Sequence, residues 1–439
     1  MTGIPVTHPF EAEDAVHASG AAPRDAAASG TDTEFGHGPR QMLPRIRIDV
    51  FVGSGELGTV ANRVARDRRA VRTQIEVHEG GFQEAIARYR DQSPPNLIVV
   101  EDHGAPDTLE WNIEALAECC PPTTHLTVIG SRNDIALYRR LTQIGVSDYL
   151  VQPIRPLDLL DSIVSIFSEA EDKELGLVLA FVGTRGGAGA STIAHNVAAT
   201  IGKSLHATTL LIDADLFGTA ALQFDFTKPQ GFLDAIREGE NLDKEMLDRL
   251  IHWRDKQLGI LAAPDRPDGN LTPDAASLRH LVEQARRLTQ FVILDLPHGW
   301  TPWIAEALSA SDRIALVATP DLPSLRNCRA LTDMIRKLRP NDAPPEIVLN
   351  RMPARGKPPV LAADYERILG RRMAAVIPYD VATAEAEMSG RVLVEDTPRS
   401  ATAAALGALA RQMAGRDETT ERKAAPKGLF KRLLGKAAG

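Results

Sequence analysis

Short apolar runs alternate with amphipathic stretches along most of this 439-residue chain. Between residues 45 and 170 there are five such runs, among them RIRIDVFV, PNLIVVED and HLTVIGS, and each is followed by helical spacing. A second series begins at Leu177 with LVLAFVG and continues through TTLLIDAD, QFVILDLP, RIALVAT and PEIVLNR. Strands that alternate with helices at this spacing predict parallel sheets covered on both faces. The chain is therefore predicted to be an α/β protein with two sheet domains.

Five segments are predicted from pattern and composition. Residues 1–43 lack a sustained apolar period and are expected to form a disordered leader. The two α/β domains are expected at 45–170 and 174–414, followed by a charged linker at 415–425 and a basic, apolar tail at 426–439. The second series suits a doubly wound sheet, which binds ligands at the carboxyl ends of its strands.

Charge and cysteine content exclude several classes of protein. The net charge of -8 argues against binding over the whole surface to nucleic acid, so no specific nucleic-acid partner is expected. Cys119, Cys120 and Cys328 form no CxxC pattern, which predicts reduced thiols in a cytosolic protein. No targeting pattern and no apolar stretch approaching ~20 residues is present, so any membrane contact is expected to be peripheral.

A glycine-rich loop separates the strand LVLAFVG from a helical pattern that includes IAHNVAATIG. Gly186, Gly187 and Gly189 let the backbone bend so that successive N–H groups face one point. Ser191 and Thr192 open the helix, whose N-terminus favours an anion and where a hydroxyl can reach Mg²⁺. The alternative is a tight turn of small residues, but the strand before and the helix after favour a phosphate-binding loop.

The loop resembles the deviant Walker A motif of the MinD/ParA group of P-loop proteins, which reads Lys-Gly-Gly-x-Gly-Lys-[Ser/Thr]. The matching residues here are Arg185, Gly186, Gly187, Ala188, Gly189, Ala190 and Ser191. Arg185 therefore stands at the signature lysine and Ala190 at the phosphate-holding lysine. The resemblance implies a homodimer that binds ATP and Mg²⁺ through this loop and Thr192. Because Ala190 supplies no cation, nucleotide binding is predicted to survive better than hydrolysis.

Carboxylates follow two of the predicted strands. Asp213 and Asp215 stand at i and i+2 and share one side if their strand continues. Asp295 ends a buried strand, where a carboxylate is costly without a cation. The resemblance implies that Asp213, Asp295 and Ser191 serve the metal and that Asp215 is the catalytic residue that positions water. The alternative is that these are ordinary Asp residues of turns and caps.

Two further strand ends are implied to form the base pocket. PEIVLNR ends in Asn350 and Arg351, and AAVIPYD ends in Pro378, Tyr379 and Asp380. In the family these strand ends wall the adenine pocket. An amide can read the edge of the base, and an Arg can stack on its face.

The first domain resembles a response-regulator receiver, which has a flavodoxin-like fold. Glu101, followed by Asp102, stands where receivers carry the phosphorylated Asp. Ser131 and Gln152 stand where they carry Ser or Thr and Lys. Because phosphoryl transfer needs the Asp, a metal and the Lys together, no phosphate switch is predicted. Docking, dimerisation or localisation is expected instead, and a plain α/β domain without a partner is the alternative.

A receiver-like domain followed by a P-loop NTPase domain of MinD/ParA type with RGGAGAST and IAHN resembles the CpaE/TadZ family of Flp/Tad pilus assembly proteins. The resemblance covers about 45–414 and implies a factor that acts with the pilus secretion and assembly machinery at the cell pole. One alternative is a MinD/ParA-like ATPase that positions a division site or other cargo. Another is an interaction module with a relic loop, against which the retained acids Asp213, Asp215 and Asp295 weigh.

The segment PKGLFKRLLGKAAG has an amphipathic pattern. In a helix, Leu429, Phe430, Leu433 and Leu434 share one face, with basic residues beside them. It resembles the membrane-targeting tail of MinD and predicts reversible binding to an anionic membrane surface, strengthened when a dimer joins two tails. The alternatives are a solvated basic end and a helix that docks on a partner protein.

Overall fold

The computed structural model describes residue 43 and residues 46–104, 108–167, 175–227, 231–264 and 272–416. The predicted leader up to residue 42, the linker from residue 417 and the whole tail 426–439 lie outside the described residues. The junction between the two predicted domains, at 168–174, lies outside them as well.

The first sheet has five parallel strands in the order β2-β1-β3-β4-β5. Its strands are β1 Arg47–Val52, β2 Gln74–Glu79, β3 Leu97–Glu101, β4 His125–Gly130 and β5 Asp148–Val151, and its helices are α1 Gly55–Ala65, α2 Phe82–Tyr89, α3 Leu109–Ala117, α4 Ile135–Gln143 and α5 Pro156–Phe167. The central strand β3 reads LIVVE and is buried at every position, as expected where helices cover both faces. This confirms the predicted receiver-like arrangement of alternating strands and helices.

The second sheet has eight strands in the order β13-β12-β11-β6-β10-β7-β9-β8. They are β6 Leu177–Gly183, β7 Thr209–Asp213, β8 His252–Trp253, β9 Leu258–Leu261, β10 Phe291–Leu296, β11 Arg313–Ala318, β12 Glu346–Met352 and β13 Ala375–Pro378. All neighbouring strands run parallel except β8, which is antiparallel to β9. The predicted doubly wound sheet is therefore confirmed, with an antiparallel edge strand that the sequence did not predict.

Helices cover both faces of this second sheet. They are α6 Ala190–Leu205, α7 Ala220–Gln223, α8 Phe232–Glu238, α9 Lys244–Leu250, α10 Ala275–Leu288, α11 Pro302–Ala310, α12 Leu322–Leu338, α13 Ala362–Leu369, α14 Val381–Met388, α15 Leu393–Asp396 and α16 Ala401–Met413. One core cluster joins the sheet to α10 and α11, and the other joins it to α6 and α16. Among the described helices, none combines the length and the apolarity needed to cross a bilayer.

The order of the strands fixes where a ligand can bind. β6 lies between β10 and β11, so the chain turns to opposite sides of β6 as it builds the sheet. Open parallel sheets bind ligands at such a switch point, beyond the carboxyl ends of the strands. The glycine-rich loop follows β6 at this end, and Asp213 and Asp295 lie side by side in the pairing of β7 with β10. The fold therefore brings the predicted loop and two of its acids to one edge.

The two sheet domains belong to one compact unit and meet in a buried polar contact. Arg68 and Arg69, in a 3-10 turn after α1, are 6% and 1% exposed. Arg68 Nε lies 3.2 Å from Asp342 Oδ2, and Arg69 also donates to Asp342. Asn341 Nδ2 donates to Asp67 Oδ2 at 2.9 Å. Buried charges are costly unless paired, so this network ties the two domains into one packed arrangement.

Candidate functional site

The glycine-rich loop has the backbone shape that a phosphate-binding loop needs. Gly187 and Gly189 have φ angles of 75° and 89°, in the left-handed region that side chains disfavour. Gly189 caps α6, which begins at Ala190, so the free N–H groups of the first helical turn lie next to the loop. These N–H groups and the helix dipole favour an anion at this position.

The Asn350 side chain holds this loop. Its Nδ2 donates to the Ala188 carbonyl oxygen at 2.9 Å, and its Oδ1 accepts from the Arg351 N–H at 2.9 Å. A Cβ built on Gly189 would lie 2.4 Å from Asn350 Nδ2, so a larger residue there would displace the Asn350 side chain as well as strain the φ angle. The sequence implied a role for Asn350 at the base, and the structure adds a contact with the loop backbone.

The start of the loop is anchored to α12. The Thr184 hydroxyl lies 2.6 Å from Ser324 Oγ, and Asn327 Nδ2 donates to the Thr184 carbonyl oxygen at 3.0 Å. Arg185, at the signature-lysine position, lies 3.3 Å from Asp321 at the N-terminus of the same helix. Side chains of α12 and of its N-terminal cap therefore fix the first part of the loop.

An open pocket of about 210 Å³ lies beside the loop. The predicted base residues Asn350, Arg351, Pro378 and Asp380 all line it, together with Gly189 and Thr192. The remaining lining residues come from α6, β13, α14, α16 and their flanks: Ile193, Ile377, Tyr379, Thr383, Ala384, Glu387, Thr402 and Leu406. The structure thus brings the two predicted strand ends together with the loop.

The sequence did not single out Glu387 as a residue of this pocket. Thr192 Oγ1 donates to Glu387 Oε1 at 2.6 Å, which links the start of α6 to α14. Helix α14 comes nearly 200 residues after the loop, and its sequence VATAEAEM carries no motif. Glu387 could be found only from the packing of α14 against the loop.

Asp213 and Asp295 lie together at the carboxyl ends of β7 and β10, and His195 of α6 faces them. All three residues are 0% exposed, and their ligand atoms lie within 4.8 Å of one another. His195 Nε2 is 3.4 Å from Asp295 Oδ2, and Asp213 Oδ2 accepts from the Ala220 N–H at 3.0 Å. The sequence predicted the two acids but missed His195, although its position four residues after Ser191 puts both on one helix face.

Burial and like charge act together on this cluster. Burial and the neighbouring Asp295 carboxylate raise the pKa of Asp213 to about 7. Burial alone would lower the pKa of His195, but its contacts with Asp295 and then the charge of Asp213 outweigh burial and raise it. Among the described atoms, Asp213 Oδ1 and both oxygens of Asp295 have no hydrogen-bond partner. The chemistry of these donors therefore suits a bound cation.

Asp215 is not a member of that cluster. β7 ends at Asp213, so the strand alternation that would align the two acids does not extend to Asp215. Asp215 is half-buried, and its Oδ1 accepts from the Phe217 N–H at 3.0 Å in the turn after the strand. Its carboxylate lies near the end of the sheet and is not among the ligand atoms that cluster at His195, Asp213 and Asp295.

Glu101 in the first domain carries a full set of hydrogen bonds. Its carboxylate accepts from Gly53 N, Ser54 N, Ser54 Oγ and Gln152 Nε2 at 2.8, 2.9, 2.7 and 2.6 Å. Burial would raise the pKa of Glu101, but these donors lower it below its usual value. Ser131, the other position matched to receivers, is exposed. The amide of Gln152 therefore donates a hydrogen bond to the Glu101 carboxylate at the place where receivers bind phosphate.

Comparison with known proteins places the loop and its acids in a shared family region. The model of the CobQ/CobB/MinD/ParA nucleotide-binding domain matches residues 179–394, which contain the loop, Asp213, Asp295 and the pocket residues Asn350 and Pro378. A ParA family ATPase from Chlorobium tepidum is 24% identical, with 53% of this chain and 98% of that chain covered and a TM-score of 0.50. That likeness supports the fold.

Two solved pilus assembly proteins have higher sequence identity. CpaE from Caulobacter crescentus is 36% identical over 29% of this chain and 98% of that chain, with a TM-score of 0.29. CpaE2 from Sinorhizobium meliloti is 40% identical over 28% of this chain and 99% of that chain, with a TM-score of 0.27. Their relationship to this chain rests on sequence identity.

Proposed function

Because this chain belongs to the MinD/ParA family of nucleotide-binding proteins, in its CpaE-like group, we propose that it binds ATP with a divalent cation through residues 185–192 and acts as a localisation and assembly factor. The observation that supports ATP binding best is that Gly189 and Thr192 of the loop line the same pocket as Asn350 and Pro378. A nucleotide with its phosphates on the loop would place its base in that pocket.

The base would lie between the ends of β12 and β13. The amide of Asn350 and the guanidinium of Arg351 flank the pocket on one side, and Pro378 and Asp380 flank it on the other. Asp380 also accepts from the Ala382 N–H at 3.0 Å as the cap of α14. Its carboxylate is thus held at the rim of the pocket, where it would accept hydrogen bonds from the nucleotide.

The cation would be held by Ser191, Asp213 and Asp295. Mg²⁺ prefers oxygen ligands and accompanies nucleotide phosphates, so the unpartnered carboxylate oxygens of the two acids fit it. Bound there, the cation would offset the charge of the phosphates and of two neighbouring buried carboxylates. We assign Asp215 the positioning of the attacking water, because it lies at the open end of the sheet.

Hydrolysis would be slow or absent because Ala190 replaces the lysine that holds the transferred phosphate. Residues 186–192 still offer backbone N–H groups and the N-terminus of α6, which bind a phosphate in its ground state. The charge that develops during phosphoryl transfer needs a cation beside it, and Ala190 supplies none. The loop is therefore better suited to a protein that changes state when ATP binds than to one that hydrolyses ATP rapidly.

The biological role proposed is in assembly of a Flp/Tad type IV pilus. The support is the sequence identity to CpaE of Caulobacter crescentus, which is described as a pilus assembly protein. ATP would join two copies into a homodimer, and two tails at 426–439 would then hold the dimer on the inner, anionic face of the plasma membrane. Partners in the secretion machinery would give the dimer a polar location.

The test compares oligomeric state and turnover in wild-type protein and in the Ala190→Lys variant. Wild-type protein with ATP and Mg²⁺ is expected to double in mass and to release phosphate slowly. Ala190→Lys restores the cation, so its rate is expected to rise at least about tenfold. Fast turnover by the wild type would instead favour a MinD/ParA-like ATPase that positions a division site or other cargo. A monomer at saturating ATP would contradict the proposed dimer.

Membrane binding is tested separately by deleting residues 426–439. Sedimentation with vesicles that contain anionic lipid is expected to be strong for the full chain with ATP and lost on deletion. Vesicles of neutral lipid are the control, since basic residues gain little from an uncharged surface. Equal sedimentation of the full and deleted chains would contradict the assignment of the tail.

A further inference from the structure

A single histidine lies among the buried acids of the nucleotide site. His195, Asp213 and Asp295 come from α6, β7 and β10, and each is 0% exposed. The side chains converge so closely that one ligand atom from each lies within 4.8 Å of the others. Two carboxylates buried this close to each other repel unless a cation lies between or beside them.

The orientation of His195 leaves one ring nitrogen facing the acids. Its Nδ1 is hydrogen-bonded to Gln223 Oε1, and a carbonyl oxygen only accepts, so Nδ1 carries the proton. Gln223 is itself 4% exposed at the end of α7, which fixes the ring. Nε2 faces Asp213 and Asp295, which favour a positive charge at this position. In the neutral ring its lone pair is free to bind a metal ion, which would take the place of the proton. Histidine that binds a metal shows the same arrangement, in which the other ring nitrogen donates to an oxygen.

The spacing of the facing atoms is also that of two ligands of one metal ion. His195 Nε2 and Asp295 Oδ2 are 3.4 Å apart, and among the described atoms neither has a hydrogen-bond partner. Two ligands that each lie ~2.1 Å from one tetrahedral metal ion are separated by about 3.4 Å. Asp213 Oδ1, also without a partner among the described residues, supplies a third ligand.

We propose that His195 Nε2 and the carboxylates of Asp213 and Asp295 bind one divalent transition metal ion, of the Zn²⁺ or Mn²⁺ class, in preference to Mg²⁺. Imidazole is a good ligand for such ions, whereas Mg²⁺ takes oxygen ligands almost exclusively. The inference rests on the proposed function only in that the same two carboxylates serve the cation of the nucleotide. His195 would thereby set which metal ion the site selects.

A second group of candidate ligands in the described chain provides the matched control. Asp49, Glu76 and His78 also lie within 4.8 Å of one another, on the first sheet. There the hydroxyl of Tyr89 donates to Asp49 at 2.6 Å, and the guanidinium of Arg88 lies 3.8 Å from Glu76. A neighbouring positive charge disfavours a metal ion, so this group is expected to contribute little.

The experiment titrates tag-free, nucleotide-free full chain with Zn²⁺ against a chromophoric chelator and, separately, with Mn²⁺ followed by electron paramagnetic resonance. One ion per chain is expected, and excess Mg²⁺ should displace it poorly. His195→Gln is expected to weaken Zn²⁺ binding at least about 100-fold, and Gln223→Ala, which only frees the ring, about tenfold. His78→Gln is expected to match the wild type.

Failure of the wild type to bind Zn²⁺ and Mn²⁺ more tightly than Mg²⁺ would overturn the proposal, as would equal binding by His195→Gln. Should His195→Gln not fold, the Co²⁺ absorption spectrum of wild-type protein decides. A four-coordinate site, as proposed for His195 and the two acids, gives intense visible bands, whereas an octahedral site gives weak ones. ATP binding is measured in the same preparations. ATP binding with an unselective metal site would refute this inference alone, and a selective metal site without ATP binding would refute the proposed function alone.

Discussion

Asn350 on β12 donates its side-chain Nδ2 to the carbonyl oxygen of Ala188 in the glycine-rich loop, at 2.9 Å. The contact joins two segments 162 residues apart, and Asn350 is 8% exposed. The bond holds the loop carbonyl in place and so fixes the orientation of the neighbouring peptide groups. Asn350 thus supports the loop and also lines the pocket proposed to bind the base.

Replacing Asn350 by Ala is therefore expected to weaken ATP binding about tenfold, the effect of one lost hydrogen bond of ~1–1.5 kcal/mol. The measurement is a fluorescence titration with a labelled ATP analogue. Asn62→Ala is the control, because exposed Asn62 also donates Nδ2 to a backbone carbonyl, that of Gly58 at 2.8 Å, but in the first domain. An unchanged affinity in Asn350→Ala would show that the loop keeps its shape unaided.

Much of this fold was predictable from the sequence because its central strands are continuous apolar runs. LIVVE and LVLAFVG are buried at every position, and helical patterns follow both. The strands β8 and β9 were not predicted. β8 has two residues, and its pairing with β9 depends on tertiary contacts that leave no period in the sequence.

The site was predictable only in part, for a related reason. Motifs mark residues that stand at strand ends, so the loop, Asp213, Asp295 and Asn350 could be placed from the sequence. His195 and Glu387 act from the interior of helices, and what they face depends on strand order and helix packing. The position of Asp215 was predicted from strand alternation, but β7 ends two residues earlier.

Asp213→Asn is expected to stabilise the protein when EDTA removes divalent cations. The variant keeps an acceptor for the Ala220 N–H and removes one of two buried, neighbouring negative charges. A gain of ~1–3 kcal/mol at slightly alkaline pH would raise Tm by about 2–8 °C. Calorimetry provides the measurement, and half-buried Asp215→Asn should show little change. A lower Tm for Asp213→Asn would contradict the view that the acids repel.

Glu101→Gln is expected to destabilise the first domain by ~1–3 kcal/mol at neutral pH, because the amide nitrogen would face the donors Ser54 Oγ and Gln152 Nε2. The pKa of Glu101 is lower in the folded state than its usual 4.5. The stability it contributes is therefore present above the unfolded pKa and lost as pH falls through the folded pKa.

Urea unfolding at a series of pH values checks this prediction. The difference between wild type and Glu101→Gln should be constant near neutral pH and should shrink in acid below pH 4.5. Exposed Glu114→Gln is the control. A difference that stays constant into acid would show that the charge of Glu101 is not responsible.

Asp342→Asn is expected to cost ~3–5 kcal/mol, because it leaves buried guanidinium groups of Arg68 and Arg69 without their shared carboxylate. Burial would raise the pKa of Asp342, but Arg68, Arg339 and Arg69 hold it well below its usual range. Thermal unfolding of the variant is expected to show two transitions, because the two domains unfold separately, whereas the wild type shows one. Limited proteolysis is expected to show the same separation of the domains. Exposed Asp333→Asn is the control, and a variant as stable as the wild type would show that the interface does not depend on this charge.

The most direct measurement is isothermal calorimetry of ATP binding to the wild-type chain, with Mg²⁺ and again with EDTA. We expect the loop to hold a triphosphate through backbone N–H groups and a cation, without a lysine. Binding should therefore be saturable, with Kd of about 1–100 µM, and should be lost in EDTA. The absence of a heat of binding at millimolar ATP, or an affinity that is the same with Mg²⁺ and with EDTA, would contradict this account of the loop.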